Sequence, residues 1–477
     1  MDYGGAAEVV AMLSLQQKKQ GCDVTIATLE RLSEELILSA ITATAAGVKI
    51  VYFKPSFPKE LYFSWQMLTG LRALVKDADV VHIHLNWTFP VWCGCTWALL
   101  YKKKLVMSPH GCVAPERLKI SALKKKIVGW LYDRPYLMRA SVIHATCEAE
   151  AEDVRTYLGS SIVLKCGSSR VENVTTVKTN ELTNSRTNEL PLVVVIPNGV
   201  DLESFDSIDA DRAFVDLQWP ACKGKRVALF LSRIHSIKGL EMLIQAWSEV
   251  QANNLSSVNK APLSILNSQF STAIGQISDD WILLIAGGGE EKYVRSLKQQ
   301  VEDTGLSEKI KFIGSVFGDD KVKLMKAADL FVLPTKNENF GIVVAESLAC
   351  GVPVITTKGA PWAELRGYDS SKILKCESSK VCADAGESAE VLNAEKYQNS
   401  QFTTHNSQSL SGRSGWWIDQ GVEPLAEALK EAMALSDEER KAMGQNGRKL
   451  VEQKYQWSSI AEQMQDLYAA LPHSKQA

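Results

Sequence analysis

Apolar positions along this chain fall into two alternating registers. Short, nearly continuous runs recur as CDVTIAT (22–28), VKIVYF (48–53), DVVHIH (79–84), KLVMS (104–108), SVIHAT (141–146) and PLVVVIP (191–197). A second set follows as RVALFL (226–231), WILLIAG (281–287), IKFIG (310–314), DLFVLP (329–334), PVITT (353–357) and GWWID (415–419). Such runs suit strands covered on both faces. Stretches of helical period lie between them, GLEMLIQAWSEV and EKYVRSLKQQVEDTG among them, which makes the repeating unit βαβ. Two successive sets predict an α/β protein of two doubly wound, Rossmann-like domains, joined near Pro197-Asn198-Gly199.

The expected boundaries are 1–200 and 201–455, with a last helix over 456–472. Three polar stretches, 166–190, 252–279 and 370–414, break the alternation and read as surface insertions. At the other end, Gly4-Gly5 leads straight into a helix over Ala6 to Gln20. A glycine turn in a doubly wound domain normally follows a strand. None precedes this one, so the first strand of the N-terminal sheet is expected to be missing.

Composition narrows the class without naming it. With 477 residues, 45% hydrophobic and 23% charged, the chain is neither collagenous nor disordered. A net charge of -2 excludes a global attraction to nucleic acid, and no nucleic-acid partner is expected. Ten cysteines are too sparse for a disulfide framework, and Cys93-Gly94-Cys95 lacks the spacing of a zinc or redox motif. Reduced, buried cysteines and a cytoplasmic protein are expected. The opening MDYGGAAEVVAML has no basic leader, and the uncharged stretch Leu85 to Tyr101 carries Asn86, Thr88, Pro90 and Gly94, which argue against a membrane span.

Charge is uneven locally. Residues 101–140 hold ten Lys and Arg against only Glu116 and Asp133, interleaved with Leu118, Ile120, Leu123, Ile127, Trp130 and Leu131. Two readings stand: peripheral docking on an anionic membrane at its inner face, or a solvated basic helix face.

The chemistry concentrates at two strand ends. In DLFVLPTKNENFGIVVAESLACGVPVITT (329–357) a strand gives way to a loop with Glu338, then to a helix over about Phe340 to Cys350. Glu338 therefore lies at the carboxyl edge of a parallel strand, where α/β folds bind ligands, and Glu346 follows about two turns later. Paired carboxylates suit polyhydroxylated groups, and a helix N-terminus suits phosphate. In LFLSRIHSIKGLEMLIQAW, Arg233 and Lys238 follow strand 226–231 and could hold a diphosphate. The alternative at each place is an ordinary solvated surface. His82 and His84 share one strand face, yet no third ligand is spaced for a metal, and none is expected.

ENFGIVVAE (338–346) resembles the Glu-x7-Glu signature of retaining, group 1 (family 4) glycosyltransferases of the GT-B fold, and SRIHSIKG (232–239) is similar to their Arg-x4-Lys-Gly loop. SPHG (108–111), HATCEAE (144–150), IPNGVD (196–201), AGGGEE (286–291) and GSVFGDDK (314–321) match as well. The resemblance implies two domains facing across a cleft, no cofactor, and a nucleotide-diphosphate sugar as co-substrate. Its partner would be a saccharide or lipid-linked acceptor, in bacterial polysaccharide synthesis by analogy. Glu338 would hold the donor sugar, Glu346 the ribose, and Asn339, Phe340 and Gly341 would line the donor site. Arg233 and Lys238 would neutralise the departing diphosphate, His110 would approach the sugar, and Gly4 and Gly5 would close over the phosphates. His84 and Glu150 are expected at the acceptor cleft, and the last helix is expected to cross back onto the first domain. The rival readings are a GT-B epimerase and an inactive nucleotide-sugar-binding protein.

Overall fold

The structure, a computed structural model, describes residues 4–30, 44, 47–57, 62–159, 191–209, 212–260, 281–367 and 412–471. The N-terminal half runs α1 (Gly4–Lys19), β1 (Thr25–Leu29), β2 (Lys49–Phe53), α2 (Trp65–Asp77), β3 (Val80–His84), α3 (Phe89–Leu100) and β4 (Lys104–Ser108). It continues with α4 (Pro115–Lys119), α5 (Ala122–Val128), a π-helical turn (Gly129–Asp133), α6 (Arg134–Arg139), β5 (Val142–Ala145), α7 (Glu148–Leu158) and β6 (Val193–Val195). The C-terminal half runs α8 (Leu202–Asp206), α9 (Arg212–Gln218), β7 (Arg226–Leu231), α10 (Leu240–Lys260), β8 (Trp281–Ala286), α11 (Glu291–Asp303), β9 (Ile310–Gly314) and α12 (Gly318–Lys326). Then come β10 (Leu330–Leu333), α13 (Ile342–Ala349), β11 (Val354–Thr357), β12 (Gly415–Ile418), α14 (Val422–Ala434), α15 (Asp437–Lys454) and α16 (Trp457–Ala470).

All twelve expected strands form, each within a few residues of its run in the sequence. In the C-terminal half they make one parallel sheet, ordered β12-β11-β10-β7-β8-β9. Its strands are buried nearly throughout, which is why they read as unbroken apolar runs. Order reverses beside β7, so β7 and β10 adjoin while their following loops open at the same edge, the switch point that α/β ligands occupy.

The N-terminal half departs from a single sheet. Its strands form a parallel pair, β1-β2, and a separate parallel sheet, β3-β4-β5-β6. Two further readings need adjustment. Helix α10 extends to Lys260, so the polar character from 252 begins inside a helix. Gly4 and Gly5 form the first turn of α1 rather than a loop. The polar stretches 166–190 and 370–411, and residues 261–279 of the middle one, lie outside the described residues.

The last helix packs far from its neighbours in sequence. Trp457, Ile460, Ala461, Met464 and Leu467 of α16 share a core with Val9 and Leu13 of α1 and with Val106, Val142 and Ile196 of the four-stranded sheet. Cys93 and Cys95 are wholly buried free thiols in α3, behaving as small apolar residues.

Candidate active site

After β7 the chain makes a tight 3-10 turn, Ser236–Lys238, and Gly239 enters α10 with φ 72°. A β-carbon on Gly239 would overlap the carbonyl of Pro334 at the end of β10, so glycine allows the two loops to interlock. Thr335 Oγ1 and the amide of Lys336 both donate to the carbonyl of Ile237, at 3.2 and 2.7 Å. This lacing brings Lys238 and Glu338 together: the ammonium and carboxylate form a charge-assisted hydrogen bond, both nearly buried. Gly341, at φ 75°, then starts α13.

Phe340 is turned inward, its ring against Trp362 and Tyr455 and its carbonyl accepting from Trp362 Nε1 at 2.7 Å. The ring is core, and only the backbone can serve a ligand. Two turns into α13, Glu346 is 3% exposed, with Oε1 on Lys321 Nζ at 2.6 Å. Its Oε2 is buried without a partner among the described residues. An unfilled acceptor at such a position suits a donor hydroxyl. Burial lowers the Lys321 pKa, but Glu346 and Glu8 outweigh it and the net shift is upward. Arg233 is exposed beyond the end of β7.

From the N-terminal half the opposing wall is built on the ends of β3, β4 and β5. His110 has a left-handed backbone, φ 50°, and its Nε2 lies 2.9 Å from His84 Nδ1 with the rings stacked. Burial lowers the His110 pKa to about 4, despite the nearby Glu150. The pair is therefore neutral, one ring donating to the other. Gly111 packs against Asn339, whose Nδ2 donates to Thr146 Oγ1 at 2.9 Å and whose carbonyl accepts from Cys147 Sγ at 3.0 Å. Asn339 thus spans the two halves through its side chain and its carbonyl.

Glu150 differs from expectation. It is 2% exposed; Oε1 accepts from the Gly111 amide at 2.6 Å, and Oε2 accepts from the Thr146 amide and hydroxyl at 2.7 and 2.8 Å. Three hydrogen bonds leave it as a clamp between the β4 and β5 loops, not a group facing an acceptor. The sequence carried a signal for this, since Glu150 is the third residue of α7, where a glutamate reaches back to free amides.

A buried polar chain behind His84 was not foreseen. His144 Nε2 lies 2.7 Å from the Ile196 carbonyl, which can only accept, so that nitrogen carries the proton. His144 Nδ1 must then accept from Ser108 Oγ at 2.7 Å, and Ser108 accepts from His82 Nε2 at 2.6 Å. His82 Nδ1 accepts in turn from the Tyr468 hydroxyl at 2.6 Å. Every direction follows from the terminal carbonyl, with all members neutral. Burial lowers the His82, His84 and His144 pKa values accordingly.

No group of three or more His, Cys, Asp or Glu among the described residues is arranged to hold a metal ion. No described helix is long and apolar enough to cross a membrane. Residues 3–167 match the family described as Glycosyltransferase Family 4, and residues 212–396 match Glycosyl transferases group 1. The chain belongs to the group 1 (family 4) glycosyltransferases.

Among the relatives of this glycosyltransferase chain is the phosphatidyl-myo-inositol mannosyltransferase of Mycobacterium leprae, 32% identical over 40% of this chain and 42% of that protein. The D-inositol 3-phosphate glycosyltransferase of Geodermatophilus obscurus is 25% identical over 34% of this chain and 32% of its own length. The matched stretch thus spans about a third of such curated relatives. In fold the glycosyltransferase resembles Anabaena HepE solved with UDP-glucose, at 16% identity, TM-score 0.63 and coverage of 98% and 97% of the two chains. It also resembles WaaG, described as involved in lipopolysaccharide biosynthesis, at 14% identity, TM-score 0.55 and coverage of 98% and 97%. These likenesses are of fold, and the fold of this chain is GT-B.

Proposed function

We propose that the chain is a retaining, metal-independent glycosyltransferase that moves a hexose from a nucleotide-diphosphate sugar to a saccharide or lipid-linked acceptor in polysaccharide assembly. The observation that carries the reading is the Lys238–Glu338 pair beside Gly341 at the edge where β7 and β10 end. On donor binding, the carboxylate is released to sugar hydroxyls and Lys238, with Arg233, to the diphosphate. As the anomeric carbon–oxygen bond breaks, negative charge grows on the leaving phosphate, and fixed cations there favour the transition state over the ground state. The acceptor oxygen bonds the same carbon from the same face, and its proton passes to a phosphate oxygen of the departing diphosphate. Glu346 Oε2 accepts from the ribose, while the neutral His110 hydrogen-bonds the sugar from the opposite wall.

The relatives named for glycosyl and mannosyl transfer, and the HepE complex with UDP-glucose, support a hexose and a nucleotide donor. The likeness to WaaG supports polysaccharide assembly. A panel of UDP-, GDP- and ADP-sugars should identify the donor by its thermal stabilisation of the protein. With that donor, Glu338→Ala and Lys238→Ala should each lower transfer by roughly 10²–10³-fold with unchanged circular dichroism. Near-wild-type rates would overturn the assignment, and donor binding without transfer to any acceptor would indicate a binding protein.

A further inference from the structure

Five large apolar side chains on one short segment belong to no core. Ile120, Leu123, Ile127, Trp130 and Leu131 are 57, 73, 55, 79 and 64% exposed, nearly half of all exposed large apolar residues among those described. Leu123, Ile127, Trp130 and Leu131 recur at helical spacing and so share one stripe. Neither α4 nor α5 buries a single residue. Helices this short are marginal alone and normally persist by burying a face.

The inner side of the segment is anchored, which fixes the stripe outward. Lys125 Nζ donates to the Arg117 carbonyl and lies over the Trp87 ring. Gly129 packs so close to Tyr157 and Trp87 that a β-carbon there would collide with the Tyr157 hydroxyl. Asp133 is buried and accepts from Asn86 and Tyr157, while Arg134 donates to the Leu158 carbonyl.

Structure also sorts the basic residues of 101–140. Lys104 is spent capping α16, donating to the carbonyls of Tyr468 and Ala469. Arg117, Lys119, Lys124 and Lys126 are exposed around the stripe, and none is in an ion pair among the described residues. Of the two acids in this segment, Asp133 is buried, and Glu116 accepts from Asn337 of the opposite half at 3.1 Å, leaving the four cations in excess.

We propose that residues 117–131 form a docking face for anionic lipid bilayers. The stripe enters the headgroup boundary while the four cations meet lipid phosphates. A second copy is the poorer occupant, because a twofold contact would set this positive rim against itself. The Glu116–Asn337 contact puts the face beside the interdomain cleft, so docking brings that cleft to the lipid surface. The inference stands independently of the transfer reading.

Co-sedimentation of the full chain with vesicles of phosphatidylcholine alone, or mixed with phosphatidylglycerol, tests it. Binding should require phosphatidylglycerol and weaken with added salt. Lys124→Gln with Lys126→Gln should reduce it roughly thirtyfold, at about tenfold per 1.4 kcal/mol and about 1 kcal/mol per charge. Ile127→Ser with Trp130→Ser should reduce it at least tenfold, with the melting temperature unchanged in both variants. Absence of binding at low salt, binding indifferent to both pairs, or a dimer that Trp130→Ser dissolves would each overturn the proposal. Should the apolar pair fail to fold, the lysine pair still decides.

Discussion

Lys321 and Glu346 form a buried pair in which one carboxylate oxygen waits for a partner. Taking away the cation leaves an uncompensated buried charge, which commonly costs 3–5 kcal/mol. Lys321→Met should therefore destabilise the protein by about 3 kcal/mol in urea unfolding, and adding Glu346→Leu should restore much of the loss. Glu338 and Lys238 were legible in the sequence because each follows a recognisable strand, and parallel strands end at one edge. Lys321 was visible only as the last residue of a supporting motif. Nothing in its spacing says that it reaches a carboxylate 25 residues further on. Glu150 is legible as a carboxylate in the first turn of a helix, but the Gly111 amide it also holds lies on a loop that the sequence does not place beside it.

At the scale of elements, the directed chain from Tyr468 to Ile196 joins α16 to β3, β4, β5 and β6 with one polar thread. Tyr468→Phe keeps the ring and removes the proton that His82 Nδ1 accepts. Leaving that buried nitrogen unmet should cost about 1–3 kcal/mol in urea unfolding. His82→Phe should cost no less, because Ser108 then loses its donor as well. Strands were legible individually because burial on both faces writes itself into apolar runs. Pairing was less so. The separation of β1-β2 from β3-β6 depends on contacts between backbones distant in sequence, which no local pattern encodes. The course of α10 past residue 252 was also missed, since its later turns are polar and read as loop.

For the molecule as a whole, the four neutral histidines His82, His84, His110 and His144 shape the response to acid. Unfolded histidine takes up a proton near pH 6.5, while burial lowers the folded values, that of His110 to about 4. Through these histidines the unfolded chain binds more protons below pH 6.5 than the folded one, so each lowers stability as pH falls. Asp133 and Asp153, both raised to about 6 by burial, act in the opposite sense. His110 alone should contribute about 2 kcal/mol of loss between pH 7 and pH 5. His110→Asn, which tolerates the left-handed backbone, should remove that portion of the slope in paired urea titrations. The packing of α16 against α1 and the four-stranded sheet has a consequence for biosynthesis. The N-terminal half draws part of its core from a helix translated well after it. At roughly 5–20 residues per second, on the order of 15–50 seconds separate the two on the ribosome. Throughout that interval the nascent N-terminal half exposes the apolar seat of α16, where a chaperone can act before that helix emerges.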